Sequence, residues 1–521
     1  YDKNIAFIFI YFVYVLKENE KMSKEVKEKD GAITKEPRLP YFWEAIVSFL
    51  GLIIVMSIGI VVFGVDPHIP MFIGVIIAVL ISLKLGYKWG AIEEMMIKGI
   101  SRAMQAILIL AIVGMMVGVW LLSGTIPTMI YYGLKLLSPS FFLIASILIC
   151  SITSLATGTS WGTMGTMGLA LVGISQGLGM PIGPTAGAIL AGAYFGDKLS
   201  PLSDTTNLAP AMAGTDIFTH VKYMIKATLI SYVITLIFFG IYGFKHAANG
   251  AVEAEQVNAL MNGLQETFNI NPILLLPPVV VILAIALKVP AIPGITLGVI
   301  SAAILAPFFQ GNVAIYDGDS LELLHTGATF GDILSVARNG FVCNTGIESL
   351  DNLLTTGGLM NMSSSILMTI IAMMFGGIME ETRQLEVIIN KITKVVKSGA
   401  GLVAATEVTC IASNVVMPEQ YISILIPGRM YADAYRKAGI HPKSLSNALE
   451  SAGTVTSCLV PWNTCGMYIA ATLGVTTATY LPWAVFNYVT PLVTLVLAFV
   501  GVTVTKMTPE EQARADAGEL V

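Results

Sequence analysis

Apolar stretches of about twenty residues recur along the chain, separated by short polar links. A helix of that length and character is what crosses the hydrocarbon core of a bilayer. Charged residues make up only 12% of the 521 residues and hydrophobic residues make up 55%, whereas a soluble domain carries about 25% charged residues. A soluble enzyme, a disordered chain and a nucleic-acid-binding protein are therefore excluded. The sequence predicts a membrane protein with about ten crossings.

Most of the apolar stretches are continuous, but two are interrupted at their centres by polar clusters. The continuous stretches lie near 43–65, 69–87, 105–123, 185–213, 228–245, 272–288, 291–309, 365–381, 445–475 and 482–504. The interrupted stretches are 140–178 and 400–428, with polar clusters at 157–162 and 413–420. Polar backbone at bilayer depth is tolerated only where it is buried in protein or lines a wet cavity. We therefore predict two helical hairpins, each of which enters the membrane and returns to its own side.

Lysine and arginine are unevenly divided between the two predicted sides of the membrane. With a cytoplasmic N-terminus, ten crossings and two hairpins, the predicted cytoplasmic segments after residue 40 carry 17 of these residues and the external segments carry three. This division is the positive-inside pattern. We expect both termini to be cytoplasmic.

The two halves of the chain resemble each other weakly at an offset of 259 or 260 residues. The stretch 199–215 aligns with 459–475, for example, and places Pro201 against Pro461. Each half has five predicted crossings, an odd number, so the second half must be inverted in the membrane. The predicted fold is an all-α polytopic membrane protein of two inverted repeats, each with a re-entrant hairpin and a discontinuous helix. The predicted segments are an N-terminal leader or tail (1–40), the first transmembrane repeat (41–246), an external linker (247–271), the second, inverted repeat (272–505) and a cytoplasmic C-terminal tail (506–521).

The first 40 residues stand apart from this pattern. Their apolar run is only about a dozen residues long, too short for a comfortable crossing, and a highly charged tract follows it. The chain opens with Tyr1, and Met22 is a candidate start. We interpret this segment as a disordered or non-native leader, with a short interfacial helix or part of a signal anchor as the alternative.

The strongest functional signal is a polar cluster at 196–210, in the middle of a predicted span. Pro201 removes a backbone hydrogen-bond donor, so a helix must open there and free carbonyl groups. Carboxylate, hydroxyl and carbonyl oxygens are hard ligands that suit a cation such as Na⁺. Asp204 is predicted to be the main cation ligand, with helix capping as the alternative role. The predicted co-ligands are Ser203, Thr205, Thr206 and Asn207 of the same cluster, and Thr159 and Ser160 of the first hairpin tip.

Three further ionisable residues are candidates for carrying or gating a proton: Asp197, Lys198 and Glu419. A charged group in the middle of a bilayer is costly and is therefore usually functional. A structural ion pair between Asp197 and Lys198 is the alternative for those two residues.

The repeat also predicts a second half-site, opposite the first break. Its candidate residues are Asn414, Gln420, Asn463 and Thr464. It has no aspartate at the break, so we do not expect the two half-sites to be equivalent. Glu407 and Glu450 fall inside other spans and are weaker candidates.

One carboxylate that binds Na⁺ and a proton in turn is sufficient for exchange. Because the two ions compete for it, alternating access produces antiport without a separate coupling device. Activity is then predicted to fall at low pH, where protons occupy the site. No resident cofactor is expected, and Na⁺ is expected as a transported ion.

The run GAYFGDKLSPLSDTTNLAPAMAGTDIFTH (192–220) resembles the NhaC family of Na⁺/H⁺ antiporters, as do TGTSWGTMG (157–165) and VVMPEQYISILIPGRMY (415–431). The resemblance covers about residues 40–505. It implies Na⁺-coupled antiport in a prokaryotic plasma membrane, with Na⁺ and H⁺ as partners, and a homodimer. Similar proteins include exchangers of Na⁺ plus lactate against malate plus protons. A small carboxylate such as malate or lactate is therefore an alternative cargo.

Two other classes of function are alternatives to antiport. Inverted repeats and broken helices also build ion channels, which would conduct without proton coupling. An enzyme is not expected, because the sequence has no Ser/His/Asp set, HExxH motif or paired catalytic aspartates at bilayer depth.

Overall fold

The computed structural model describes residues 37–249, 254–318, 320–393 and 398–521. Most of the predicted leader at 1–40 lies outside the described residues. The described residues are mainly helical, and their one sheet is a short antiparallel pair of strands, Ala314–Tyr316 and Leu323–Thr326.

Helices of the first half follow one another with short connections. They are Phe42–Ser57 (continued by a π-helical turn, Ile58–Val62), His68–Leu85, Trp89–Arg102, Met104–Leu122, Thr125–Leu136, Pro139–Thr157, Ser160–Thr163 (continued by a π-helical turn, Met164–Gly168, and by Leu169–Gly177), Ile182–Leu199, Asp204–Ala213 and Ile217–Asn249.

The second half has a similar series of helices after a helical link. They are Ala254–Thr267, Pro272–Leu275 (3₁₀), Leu276–Ala286, Ala291–Phe309, Phe330–Asn339, Glu348–Leu354, Met360–Met362 (3₁₀), Ser363–Glu381, Gln384–Thr393, Gly399–Val416, Gln420–Lys437, Pro442–Leu449 (continued by a π-helical turn, Glu450–Thr454), Ser457–Leu459 (3₁₀), Thr464–Leu473, Thr477–Tyr480, Leu481–Trp483 (3₁₀), Val485–Phe499 and Pro509–Asp516.

Eight of the described helices are long and apolar enough to cross a membrane, and the number rises to ten if two bent helix pairs are each taken as one span. The bent pairs are Val257–Thr267 with Pro272–Ala286 and Thr477–Trp483 with Val485–Phe499. Many large apolar side chains on these helices are exposed, which is the expected surface of a protein surrounded by lipid. The prediction of a largely helical, multi-pass membrane protein is confirmed.

The first hairpin (139–177) turns back at a glycine. Helix Pro139–Thr157 ends at Gly158, whose φ of 69° is in the left-handed region that favours glycine. Thr159 caps the next helix, because its side chain accepts a hydrogen bond from the Gly162 N–H at 3.2 Å. The polar residues of the tip therefore end one helix and begin the next.

Glycine packing shows the direction of the chain after this turn. Gly192 and Gly196 let helix Ile182–Leu199 approach the carbonyl groups of Ile147 and Ser151, so this helix runs parallel to Pro139–Thr157. The segment between these two parallel helices must therefore carry the chain back to the level at which the hairpin started.

The second hairpin (399–437) also has a side-chain cap at its tip, but its first arm ends at Met417, with a φ of −114°, and not at a left-handed glycine. Its two arms run antiparallel, since Thr409 contacts Tyr431 at 2.9 Å and Thr406 contacts Tyr435 at 3.2 Å between hydroxyl oxygens. Glu419 caps the returning helix, accepting a hydrogen bond from the Ile422 N–H at 3.0 Å.

Each hairpin is followed by a broken helix with the same spacing. The first broken helix (182–213) is interrupted at 200–203, which we call the first break, and the second broken helix (442–473) is interrupted at 460–463, the second break. The helices of the first half begin at 139, 160, 182 and 204, and those of the second half begin at 399, 420, 442 and 464. The predicted break at Pro201 is present, and the backbone repeats at the predicted offset of 260 residues.

The apolar core joins the two halves crosswise. One cluster of buried residues contains the first hairpin together with Tyr468 and Ile469 of the second broken helix. The other contains the second hairpin together with Ala209 and Ala213 of the first broken helix. Each hairpin therefore packs against the last part of the other half's broken helix, as well as against the first part of its own half's broken helix, which brings the two hairpin tips together.

Candidate functional site

A cavity of about 630 Å³ lies where the two hairpin tips meet the first break. We call it the central cavity. Its wall is formed by 157–162 of the first tip, 201–205 and Asn207 of the first broken helix, and 419–421 of the second tip. Arg102 and Lys288 form an exposed edge, whereas Asp197 and Ser160 lie at buried positions. The cavity therefore runs from a charged, exposed edge to a buried polar floor.

Two aspartates face this cavity. Asp197 is 5% exposed, and its carboxylate lies near the Ser160 and Ser203 hydroxyls. Asp204 is the first residue of helix Asp204–Ala213, where a negative charge interacts favourably with the helix dipole. The Tyr421 hydroxyl donates a hydrogen bond to Asp204 Oδ2 at 3.4 Å. The cavity thus has two carboxylates and several hydroxyl groups, which are hard oxygen ligands.

Local hydrogen bonds hold the first break open. Thr206 Oγ1 donates to the carbonyl oxygens of Asp197 at 3.1 Å and Lys198 at 3.2 Å, near the end of helix Ile182–Leu199. Ser200 Oγ donates to the Leu155 carbonyl oxygen at 2.8 Å, which ties the break to the first hairpin. The backbone groups freed by Pro201 are therefore partly satisfied by neighbouring hydroxyls.

Most of the predicted first-half residues reach the central cavity. Those that line it are Asp204, Ser203, Thr205, Asn207, Thr159, Ser160 and Asp197. Thr206 does not line it, because its hydroxyl is used by the backbone of the break. Lys198 does not line it either.

Lys198 points away from its neighbour in sequence. Its side chain is 0% exposed, and its Nζ donates a hydrogen bond to Ser451 Oγ at 3.1 Å. Asp197 faces the cavity instead. Among the described residues these two side chains form no ion pair, so the alternative of an Asp197–Lys198 structural pair is wrong.

Most residues of the predicted second half-site form hydrogen bonds within that region and do not reach the central cavity. Asn414 Nδ2 donates to the Gly453 carbonyl oxygen at 2.8 Å, and Asn463 Nδ2 donates to the Asn414 carbonyl oxygen at 3.1 Å. The Thr464 N–H donates to the Pro418 carbonyl oxygen at 2.9 Å. Of the four predicted residues, only Gln420 lines the central cavity.

Glu419 and Gln420 bring the second tip to the cavity. Glu419 is 7% exposed and lines the cavity while it caps its helix. Gln420 Oε1 accepts a hydrogen bond from Cys465 Sγ at 2.7 Å. Glu419 is therefore an additional carboxylate within reach of the cavity, on the opposite half of the molecule from Asp204.

Several residues of the site were missed by sequence reasoning. They are Tyr421, Arg102, Gln105 and Lys288. Tyr421 could have been found from the repeat, because it lies 260 residues after Trp161 of the first tip. Trp161 stacks on Tyr468 with ring centroids 4.2 Å apart, so both tip aromatics contact the other half of the molecule.

Arg102 at the cavity edge belongs to a surface ion-pair group. It pairs with Glu380 and Glu381 at the end of helix Ser363–Glu381. These exposed pairs connect the two halves, but each contributes little to stability.

Comparison with known proteins identifies the family. Residues 192–502 match the sequence model of the Na⁺/H⁺ antiporter family. The chain is 36% identical over 468 residues to the Na⁺/H⁺ antiporter NhaC of Alkalihalophilus pseudofirmus, a match that covers 89% of this chain and 97% of that protein. The chain belongs to the Na⁺/H⁺ antiporter family. The resemblance to the NhaC family drawn from the sequence is confirmed.

Other members of this group carry names that indicate different cargo. The chain is 37% identical over 468 residues to the malate-2H⁺/Na⁺-lactate antiporter of Bacillus subtilis (strain 168), covering 90% of this chain and 96% of that protein. It is 34% identical over 481 residues to the arginine/ornithine antiporter ArcD of Halobacterium salinarum, covering 92% and 96%. These relatives are antiporters, whereas their named cargo ranges from an inorganic cation to organic acids and amino acids.

Proposed function

We propose that this member of the Na⁺/H⁺ antiporter family exchanges Na⁺ for protons at the central cavity. The observation that carries the proposal is the presence of Asp197 and Asp204 in one cavity, at the point where both hairpin tips meet the first break. Two carboxylates this close favour a bound cation or a proton, because either one reduces their mutual repulsion. Na⁺ and H⁺ then compete for the same group, and one must leave before the other binds.

The predicted cation ligands keep their roles in this proposal, with two changes: Asp197, predicted as a proton or gating residue, joins Asp204, and Thr206 leaves the set. Asp204 and Asp197 supply charge, and Ser203, Thr205, Asn207, Thr159 and Ser160 supply neutral oxygens around the cavity. Thr206 stabilises the break through its hydrogen bonds to the backbone and does not bind the cation. Glu419 faces the same cavity from the other half and serves as a gate or a further proton acceptor.

We further propose that the two halves are inverted repeats and that the cavity is open to the cytoplasm in this conformation. The repeated helix starts and the crosswise packing of hairpins and broken helices support the first statement. The exposed edge at Arg102 and Lys288 supports the second, because both residues belong to predicted cytoplasmic segments. Cytoplasmic termini, a prokaryotic plasma membrane, a homodimer and the lack of a resident cofactor remain part of the proposal.

An organic-acid exchanger is the second candidate. Two observations favour it: the cavity volume of about 630 Å³ is far larger than a dehydrated Na⁺ requires, and the edge carries the ammonium group of Lys288, beside an Arg102 that is already paired with Glu380 and Glu381. A carboxylate substrate could pair with such a cation while Na⁺ occupies the aspartates. The malate-2H⁺/Na⁺-lactate antiporter among the relatives is consistent with this cargo.

Transport by purified protein in liposomes distinguishes the two candidates. An outward proton gradient should drive ²²Na⁺ uptake in the absence of any organic anion. Uptake that occurs only after malate or lactate is added would replace the first candidate with the second. Current without proton coupling would instead indicate a channel.

A further inference from the structure

Lys288 lies at the exposed edge of the central cavity with an unpaired ammonium group. It follows helix Leu276–Ala286 and lines the cavity. Within the part of the chain that the structure describes, its Nζ forms no hydrogen bond and no ion pair. Arg102 at the same edge is different, because it pairs with Glu380 and Glu381. Lys288 therefore carries a positive charge that no described carboxylate neutralises.

The backbone conformation at Lys288 is unusual for a lysine. Its φ is 64°, in the left-handed region that favours glycine. The Lys288 N–H donates to the Ile285 carbonyl oxygen at 2.8 Å, and the Val289 N–H donates to the Ala284 carbonyl oxygen at 3.0 Å, which closes the end of the helix. Glycine is the usual residue in such a turn. The lysine side chain is therefore present at an energetic cost to the backbone.

The two series of helices show that the fold does not require a lysine in this turn. Helices His68–Leu85 and Ala291–Phe309 occupy equivalent places in the two series, and a proline precedes each of them. Shortly before each proline is a left-handed residue followed by a valine: Gly64, with a φ of 61°, and Lys288, with a φ of 64°. The first half thus makes the turn with glycine. The geometry of the turn does not explain why the second half has a lysine there.

The charge of Lys288 opposes cation binding in the cavity that it lines. An ammonium group raises the electrostatic energy of a Na⁺ ion bound near Asp197 or Asp204, because like charges repel. The end of helix Leu276–Ala286 does favour a cation, but that interaction does not require a side chain that lines the cavity. An anion bound beside Lys288 reverses the effect, since it pairs with the ammonium group and attracts Na⁺.

Gln105 provides a neutral hydrogen-bond donor at the same edge. It is exposed, it lines the cavity, and it belongs to helix Met104–Leu122, which packs against helix Ala291–Phe309. A carboxylate can accept a hydrogen bond from its amide group while it pairs with the ammonium group of Lys288. The edge of the cavity thus offers donors to an anion, whereas the aspartates and hydroxyls deeper in the cavity offer oxygens to a cation.

We propose that Lys288 recognises the carboxylate group of a small organic anion at the edge of the central cavity, with Gln105 as a further donor. The anion and Na⁺ then occupy the cavity together, and each raises the affinity of the protein for the other. Na⁺ also binds without the anion, with lower affinity. The inference rests on the proposed Na⁺ site and deepens it, because it assigns a residue that selects an anion and predicts that the two ions bind at the same time.

Calorimetry of the purified full-length protein tests this coupling. NaCl is titrated at constant pH and ionic strength, with and without L-malate or L-lactate, and lactamide, the neutral amide of lactate, is the control ligand. Wild type should bind Na⁺ at least about threefold more tightly when one of the two carboxylates is present, and lactamide should have no effect. Lys288→Gly should lose this increase. In the absence of an anion it should bind Na⁺ at least as tightly as wild type, because a repulsive charge has been removed.

Arg383→Gly is the matched control. Arg383 is also a cation in a left-handed turn after a helix, with a φ of 59°, but it pairs with Glu386 and does not line the central cavity. Glycine suits both turns, so neither glycine variant should lower the thermal unfolding temperature. Arg383→Gly should keep the effect of the carboxylate on Na⁺ affinity. Lys288→Arg should keep part of it, because the positive charge is retained.

Lys288→Gln removes the charge and keeps a long side chain, so it provides the same test if Lys288→Gly does not fold. The proposal is overturned if neither carboxylate raises the Na⁺ affinity of wild type. It is also overturned if a folded Lys288→Gly or Lys288→Gln protein keeps the increase, or if Arg383→Gly loses it. A wild-type protein that binds no Na⁺ under any of these conditions would instead refute the proposed function.

Discussion

The two breaks have the same backbone and different chemistry. The first break, at 200–203, exposes two aspartates and several hydroxyls to the central cavity. The second break, at 460–463, is surrounded by amide groups that bond to one another, such as Asn463 to Asn414. A repeated fold therefore does not require repeated chemistry: the first break borders the candidate site, whereas the hydrogen-bonded amides at the second break form what we call the frame.

The largest expected effect is a difference between substitutions at two equivalent positions, one beside each break. Asp204→Asn removes a cavity carboxylate and should reduce proton-driven ²²Na⁺ uptake by about 100-fold or more, which corresponds to about 2.7 kcal/mol. Thr464, 260 residues later, lies outside the cavity, so Thr464→Val should lower uptake less than about threefold. Equal losses in the two variants would show that the breaks are functionally equivalent.

The second prediction concerns the turn of the first hairpin. Gly158 has a φ of 69°, and an added Cβ would lie 2.6 Å from the carbonyl carbon of Leu202. Gly158→Ala should destabilise the protein by about 2–3 kcal/mol through strain and overlap, measured as a lower thermal unfolding temperature in detergent. Gly214→Ala is the control, because its φ is 90° with no atom within 4 Å of the added Cβ. It should show the smaller cost of strain alone, about 1 kcal/mol.

Substitutions of two asparagines, one beside each break, test whether the second break mainly affects stability and the first mainly affects transport. Asn414→Ala removes the Nδ2 donor to the Gly453 carbonyl oxygen and the Oδ1 acceptor that lies 3.3 Å from Asn463 Nδ2. The loss of these buried hydrogen bonds should destabilise the protein by about 1–3 kcal/mol. Transport by the folded fraction should remain near wild type. Asn207→Ala should do the reverse, because Asn207 lines the cavity and is exposed, so water can replace its Nδ2 as the donor to the Pro201 and Ser203 carbonyl oxygens. The same pattern in both variants would contradict the division between frame and site.

The smallest expected effect is at Tyr421. Tyr421→Phe removes a long hydrogen bond to Asp204 and should raise the KM for Na⁺ about threefold to tenfold with little change in maximal rate. Initial rates of ²²Na⁺ uptake at a fixed proton gradient provide the measurement. A fall in maximal rate at unchanged KM would assign Tyr421 to the conformational step and not to cation binding.

Local sequence was sufficient to predict the hairpins and the breaks. Pro201 must open a helix, and the glycine and hydroxyl residues at 157–162 both end and cap helices. These effects act between residues that are close in sequence. Because these local features recur at a constant offset in the second half, the sequence also predicts the repeat.

Contacts between distant residues could not be predicted in the same way. Lys198 meets Ser451 and not Asp197, its neighbour in sequence, and the hydroxyl of Thr206 turns to the backbone and not to the cavity. The first outcome depends on how the second half packs against the first broken helix, and the second depends on the turn that the chain makes at the break. Periodicity encodes neither. The second half-site was predicted from symmetry, and symmetry does not reveal that Asn463 Nδ2 donates a hydrogen bond to the Asn414 carbonyl oxygen.

The central claim is that Na⁺ and a proton compete at the first break. The most direct test is the KM for Na⁺ of reconstituted wild-type protein, measured by ²²Na⁺ uptake at a series of internal and external pH values held equal, with Na⁺ on the other side as exchange partner. Competition with one proton predicts that in the acidic range KM rises by up to about tenfold per pH unit while the maximal rate at saturating Na⁺ is preserved. A maximal rate that falls with acidity at constant KM would contradict the claim.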